Sequence, residues 1–99
     1  MKPDYQIYIV LITFEVMVGG SASLKAKRSI VNRIKDRIRT RFNASVAEVG
    51  YLDKWQRSAL GITMISNQKT KLQKDIDAIE TTLREITDMS LCDFVVEWL

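Results

Sequence analysis

The stretch from Tyr5 to Val18, YQIYIVLITFEVMV, limits the possible folds more than any other part of the chain. Tyr8, Val10, Ile12, Phe14, Val16 and Val18 fall on one face at the two-residue period of a strand, and Ile7, Ile9, Leu11, Thr13, Glu15 and Met17 fall on the other. Both faces are largely apolar near the start, which predicts a strand with neighbours on both sides. Gly19-Gly20 ends it.

The pattern then changes to the helical period. Ser23 is placed to cap a helix in which Ile30, Val31, Ile34, Ile38 and Phe42 form one apolar stripe, and Asn43 is expected to close it in the left-handed conformation. Ala44–Tyr51 reads as a second strand, Leu52–Arg57 as a polar connection and Ala59–Ser66 as a third strand. Ser66 or Asn67 can cap a second helix whose stripe is Leu72, Ile76, Ile79, Leu83 and Ile86. Cys92–Leu99 reads as a last strand, with Cys92, Phe94, Val96 and Trp98 on its apolar face. The order βαββαβ predicts one α+β domain over residues 1–99. It would have the ferredoxin-like arrangement of a four-stranded antiparallel sheet with both helices on one face. The other sheet face has no cover within the chain, so a homo-oligomer is expected.

Composition narrows the chemistry. The chain has no histidine, which removes the commonest general base and a major metal ligand. A single cysteine, Cys92, excludes an internal disulfide and any multi-cysteine zinc site, and suits the cytoplasm. Lys2, the apolar run Ile7–Phe14 and the small residues Gly19–Ser23 imitate the outline of a signal peptide, but Asp4 and Glu15 flank the run with the wrong charge. No apolar stretch approaches the roughly 20 residues of a membrane-spanning helix, and no membrane association is expected.

Charge is unevenly distributed. Residues 1–74 carry 14 basic and 5 acidic side chains, a net +9, while residues 75–99 carry 1 and 7, a net −6. The segment Ser23–Asn43 alone holds eight lysines and arginines against one acid, Asp36. On a helical wheel Lys25, Arg28, Lys35 and Arg39 share one flank with Asn32, and Arg33 and Arg37 lie on the other. Such a flank can neutralise phosphates, which predicts RNA-backbone contact by Lys25, Lys27, Arg28, Lys35 and Arg39. The competing reading is a solvated face, paired with acids of the second helix or of a neighbouring subunit. The turn GGSASLK could hold an anion on backbone N–H groups, but it lacks the P-loop pattern, and a turn with a capping serine accounts for it. In the connection DKWQR, Trp55 could stack on a base with Gln56 and Arg57 as hydrogen-bonding partners. Its structural alternative is Trp55 packed on the sheet edge or a neighbouring subunit, with Asp53 and Arg57 paired.

Four segments, SLKAKRSIV, RFNASVAEVG, DKWQR and LGITMISN, fall in order across Ser23–Asn67. In this combination the chain resembles the YlxP-like family of small bacterial proteins, whose pattern is Ser-Leu-Lys-x-Lys-Arg, Phe-Asn-x-Ser-Val-Ala-Glu, Asp-x-Trp-Gln-Arg and a glycine followed by Ser-Asn. The turn Gly19-Gly20-Ser21 departs from relatives that often have proline there, and Ala26 stands where glutamate is common. The resemblance implies a ferredoxin-like fold and no established activity. The genes of this family often lie among genes for translation initiation and ribosome maturation, which points to RNA or a ribosomal particle as partner. The expectation is a cytoplasmic RNA- or ribosome-associated protein that is not an enzyme and needs no cofactor or metal. A homo-oligomeric interaction module that binds no nucleic acid is the alternative.

Overall fold

A computed structural model describes residues 4–20 and 22–99. The elements are β1 (Tyr8–Met17), α1 (Leu24–Arg41), β2 (Ser45–Gly50), β3 (Arg57–Ser66), α2 (Lys69–Arg84) and β4 (Ser90–Trp98). Every strand pair is antiparallel and the sheet order is β2-β3-β1-β4, which is the ferredoxin-like arrangement. β1 is central, as its two apolar faces require. Its even-numbered side chains Val10, Ile12, Phe14 and Val16 are fully buried under the helices. They meet Leu60 and Ile62 of β3, Ile34 and Ile38 of α1, and Ile79 and Leu83 of α2 in one core. The odd-numbered face has no helix over it, and Met17 at its end is 43% exposed.

The helix ends follow different rules from those expected, except at the start of α1. Ser23 is extended and its Oγ accepts the Ala26 N–H at 3.1 Å, a side-chain cap. Ser23→Ala is therefore expected to lower the stability to urea by about 1 kcal/mol. At the other end Asn43 is not left-handed. The chain leaves α1 through an extended Phe42, whose N–H still reaches the Ile38 carbonyl at 2.9 Å, because Phe42 turns its ring back onto the core. At α2, neither Ser66 nor Asn67 is the cap. Gln68 is, without a side-chain cap bond, while Ser66 Oγ accepts the Gln68 N–H at 3.1 Å in a tight turn.

Two β-bulges alter which face each side chain takes. On β4 the register against β1 shifts between Thr13 and Glu15, where Asp93 adopts φ 51°. Val96 then pairs with Ile12 on the helix face, but Cys92 pairs with Glu15 on the open face. The expected grouping of Cys92 with Phe94, Val96 and Trp98 is corrected by this extra residue. On β2 the shift lies between Glu48 and Gly50, and Glu48 pairs with Leu60 on the helix face. Gly50 pairs with Ala59 so closely that a Cβ on it would lie 3.1 Å from the alanine Cβ. β3 begins at Arg57, so this residue belongs to the sheet rather than to the connection.

Candidate nucleic-acid interface

Lys27 is where the structure departs most from the expected site. It stands on the buried stripe of α1 itself, four, seven and eleven residues before Val31, Ile34 and Ile38, and it is 0% exposed. Its ammonium donates to the carbonyl of Tyr51 at 2.7 Å, with the carbonyls of Arg57 and Leu52 at 3.3 and 3.4 Å. The Glu48 Oε2 lies 3.1 Å away and also accepts from Ser58 Oγ at 2.6 Å. Three ammonium protons thus face four oxygens. A buried charge is tolerated only when it is paired and its hydrogen bonds are met, and this one satisfies both conditions. Lys27 therefore cannot reach a phosphate, and its assignment to the RNA-contacting set is withdrawn. It pins the β2–β3 connection to the start of α1. Sequence reading missed Glu48 and Ser58 as its partners. The available signals were the place of Lys27 on the stripe with Val31, Ile34 and Ile38, and a carboxylate two residues beyond Val46 on the core-facing alternation of β2, where a buried cation is the natural complement.

The other four predicted cations lie where a partner can approach. Lys25 and Arg28 are exposed, and Lys35 is half-buried with its stem along the helix. None of these three has a carboxylate within ion-pair distance among the described residues. Arg39 is exposed, and its guanidinium donates to the Val46 carbonyl at 3.0 Å, which ties this flank of α1 to β2. β2 is an edge strand, so the flank runs along the rim of the molecule. On the opposite flank Arg33 pairs with Asp88 at 3.0 Å and Arg41 donates to Thr82 Oγ1 at 3.4 Å, while Arg37 has no carboxylate within ion-pair distance among the described residues. Two of the three acids of α2 form local pairs, Asp75 with Lys71 and Glu80 with Arg84. The idea that the basic helix is neutralised by the acidic one within the chain is thus met only at Arg33, and there by a residue beyond the end of α2.

The connection carrying Trp55 is a shaped turn. Tyr51 takes φ 58°, and its carbonyl accepts from the Lys54 N–H at 3.0 Å as well as from Lys27. Trp55 is 53% exposed, so the ring is not packed away on the sheet. Gln56 is exposed, and its carbonyl accepts the Val18 N–H at 2.9 Å, prolonging the β1–β3 ladder. Arg57 does not pair with Asp53. It donates from Nε and Nη2 to Glu15 Oε1 at 2.9 and 2.6 Å, and its guanidinium lies 4.1 Å from the centre of the Tyr51 ring. The hydrogen bond to Glu15 raises the Arg57 pKa above its usual value. Arg57 is thus an ion-paired group on the open sheet face, and all five DKWQR residues, the acid Asp53 included, are exposed.

Glu15 stands on the open face and Glu48 on the helix face, with the sheet between them. Among the described residues no cluster of three His, Cys, Asp or Glu side chains could hold a metal ion, and no helix is long and apolar enough to cross a membrane.

Fold and surface together define a small ferredoxin-like α+β protein with one helix flank left cationic. The profile of the family described as "Protein of unknown function (DUF503)" matches residues 9–96, and the chain belongs to that family. It is similar to "Uncharacterized protein YlxP" of Bacillus subtilis (strain 168), with 30% identity over 84 residues, covering 85% of this chain and 91% of that protein. The segments SLKAK, SVAE and DKWQRS meet in space at the Lys27 ammonium, through Lys27 itself, Glu48, the Arg57 carbonyl and Ser58.

Proposed function

We propose that this protein associates with RNA or a ribosomal particle without catalysing a reaction, holding phosphate backbone along the β2-side flank of α1. The observation that carries this reading is the set of Lys25, Arg28 and Lys35 on one flank without carboxylate partners among the described residues, extended by Arg39. From Lys25 to Arg39 the flank spans roughly 21 Å at 1.5 Å per residue. The start of α1 strengthens the case. Its first turn contains no acid, and Lys25 and Arg28 stand near the positive end of the helix dipole. Cations there are unfavourable by about 0.3–1 kcal/mol each, the mirror of the stabilisation an acid would give. Lys27 is compensated by Glu48, but Lys25 and Arg28 gain nothing comparable inside the molecule. A bound polyanion supplies the missing charge.

Trp55 adds a different kind of contact. The Lys27 pin ties the turn to the start of α1 through the Tyr51 carbonyl, and the turn carries a half-exposed indole with Lys54 next to it in sequence. A base can stack on that ring. Trp55→Ala is expected to weaken binding by roughly 1–3 kcal/mol with almost no change in salt dependence, as read by fluorescence titration at several salt concentrations. A Trp55→Ala protein that binds RNA as tightly as the wild type would remove the turn from the interface and leave the flank alone. The experiment for the whole reading is titration of purified protein against ribosomal subunits, unrelated single-stranded RNAs and an acidic protein in parallel. Binding confined to the acidic protein would favour the interaction-module alternative.

A further inference from the structure

The sheet face opposite the helices is a second, separate surface. Register places Ile9 of β1 beside Ile65 of β3, and Leu11 beside Thr63. Ile65, Val49 and Val95 each leave between 49% and 59% of their surface open. Four strands about 4.8 Å apart and up to ten residues long present a face of roughly 600 Å² before side-chain relief, close to the ~800 Å² that one partner gives to a stable protein interface. The middle of the face is small: Thr13 pairs with Gly61, and Gly61 with Ala47, so another layer can approach closely. The sheet edges are poor alternatives for association. β2 carries a bulge and the Arg39 bond to the Val46 carbonyl, and β4 carries the bulge at Asp93.

Charge on this face is sorted by strand. The acids Glu15, Asp93 and Glu97 stand on β1 and β4, while the bases Lys54 and Arg57 stand at the start of β3 and in the turn before it. Glu15 and Arg57 neutralise each other, so the acids left to disfavour RNA there are Asp93 and Glu97. A second copy is favoured, because the pattern is self-complementary for one choice of axis. A two-fold axis in the plane of the interface, parallel to the strands and between β1 and β3, sets the order β2-β3-β1-β4 against β4-β1-β3-β2. The β3 side then faces the partner's β1, and β2 faces the partner's β4. Ile65 meets the partner's Ile9, Val49 comes over the partner's Val95, and the turn carrying Lys54 lies at the same end of the sheet as the partner's Asp93. An axis across the strands would instead set each strand over its own copy reversed, with the Arg57 end of β3 over the partner's Ile65.

We infer that this face is the interface of a two-fold homodimer, packed sheet to sheet with its axis along the strands between β1 and β3. The inference does not depend on RNA binding at the α1 flank, which lies on the other side of the sheet, and Lys54 alone is shared with the Trp55 turn. Light scattering on the full chain across a micromolar concentration series should give the dimer mass. Ile65→Lys should give the monomer mass throughout, with an unchanged circular-dichroism spectrum, because Ile65 is exposed in the monomer. In a Cys92→Ser background, Val49→Cys and Val95→Cys proteins mixed together should be joined by a short bismaleimide, and neither alone should be joined to itself. A wild-type monomer at every concentration would overturn the inference and leave the face to a different protein. A dimer that survives Ile65→Lys, or Val49→Cys protein that cross-links to itself, would overturn it equally.

Discussion

Lys27→Met is expected to destabilise the protein by about 3–5 kcal/mol, the range for removing one partner of a buried ion pair. Methionine fills the space, so the loss is electrostatic: Glu48, 13% exposed at its side chain, keeps only the Ser58 hydroxyl. The carbonyls of Leu52 and Arg57 lose a donor as well. Urea denaturation monitored by circular dichroism measures the effect. The control is the double variant Lys27→Met with Glu48→Gln, which removes the stranded charge and should be less destabilised than the sum of the single variants. Additive effects would show that Lys27 and Glu48 do not act as a pair. A loss under 1 kcal/mol for Lys27→Met would show that the ammonium reaches solvent, and would restore it to the phosphate-binding set.

The largest expected loss of function belongs to the triple variant Lys25→Gln, Arg28→Gln and Lys35→Gln. Arg39 is left in place because its bond to Val46 also ties α1 to β2. With three contacts to single-stranded RNA, the log–log salt slope should shrink by about two units, and affinity near 50 mM salt should fall roughly 10²–10³-fold. The loss should be similar across unrelated RNA sequences, because phosphates carry no sequence information. Stability should stay within about 0.5 kcal/mol of the wild type, since none of the three side chains is part of the buried core. Retained affinity in a folded triple variant would move the RNA-binding surface elsewhere.

The fold was legible because period and order are local. The even-numbered face of β1 and the stripe Val31, Ile34 and Ile38 are buried as their spacing predicts, and the switches between the two periods fix the βαββαβ order. What was not legible depends on contacts between distant segments. Nothing near Asp93 announces a bulge, yet that one residue carries Cys92 from the expected apolar face to the open one. Asn43 has the chemistry of a left-handed cap, but burial of Phe42 decided how α1 ends. Lys27 is the clearest case. Its spacing before Val31, Ile34 and Ile38 puts it on the buried stripe of α1, but nothing in α1 meets its charge. Only the return of β2 with Glu48, and of the turn with its carbonyls, makes it a buried strut. The flank composed of Lys25, Arg28, Lys35 and Arg39 was legible because helical geometry alone groups it.

The central claim is that the β2-side flank of α1 binds RNA phosphates. Its most direct test is the affinity of the wild-type protein for single-stranded RNA and for ribosomal particles as salt is raised from low ionic strength. Four phosphate contacts, at Lys25, Arg28, Lys35 and Arg39, predict that log K falls with log salt at a slope of about −3 on single-stranded RNA. Absence of salt-sensitive binding to any RNA or ribosomal particle at low ionic strength would contradict the claim, and the charges on α1 would then belong to an acidic protein partner.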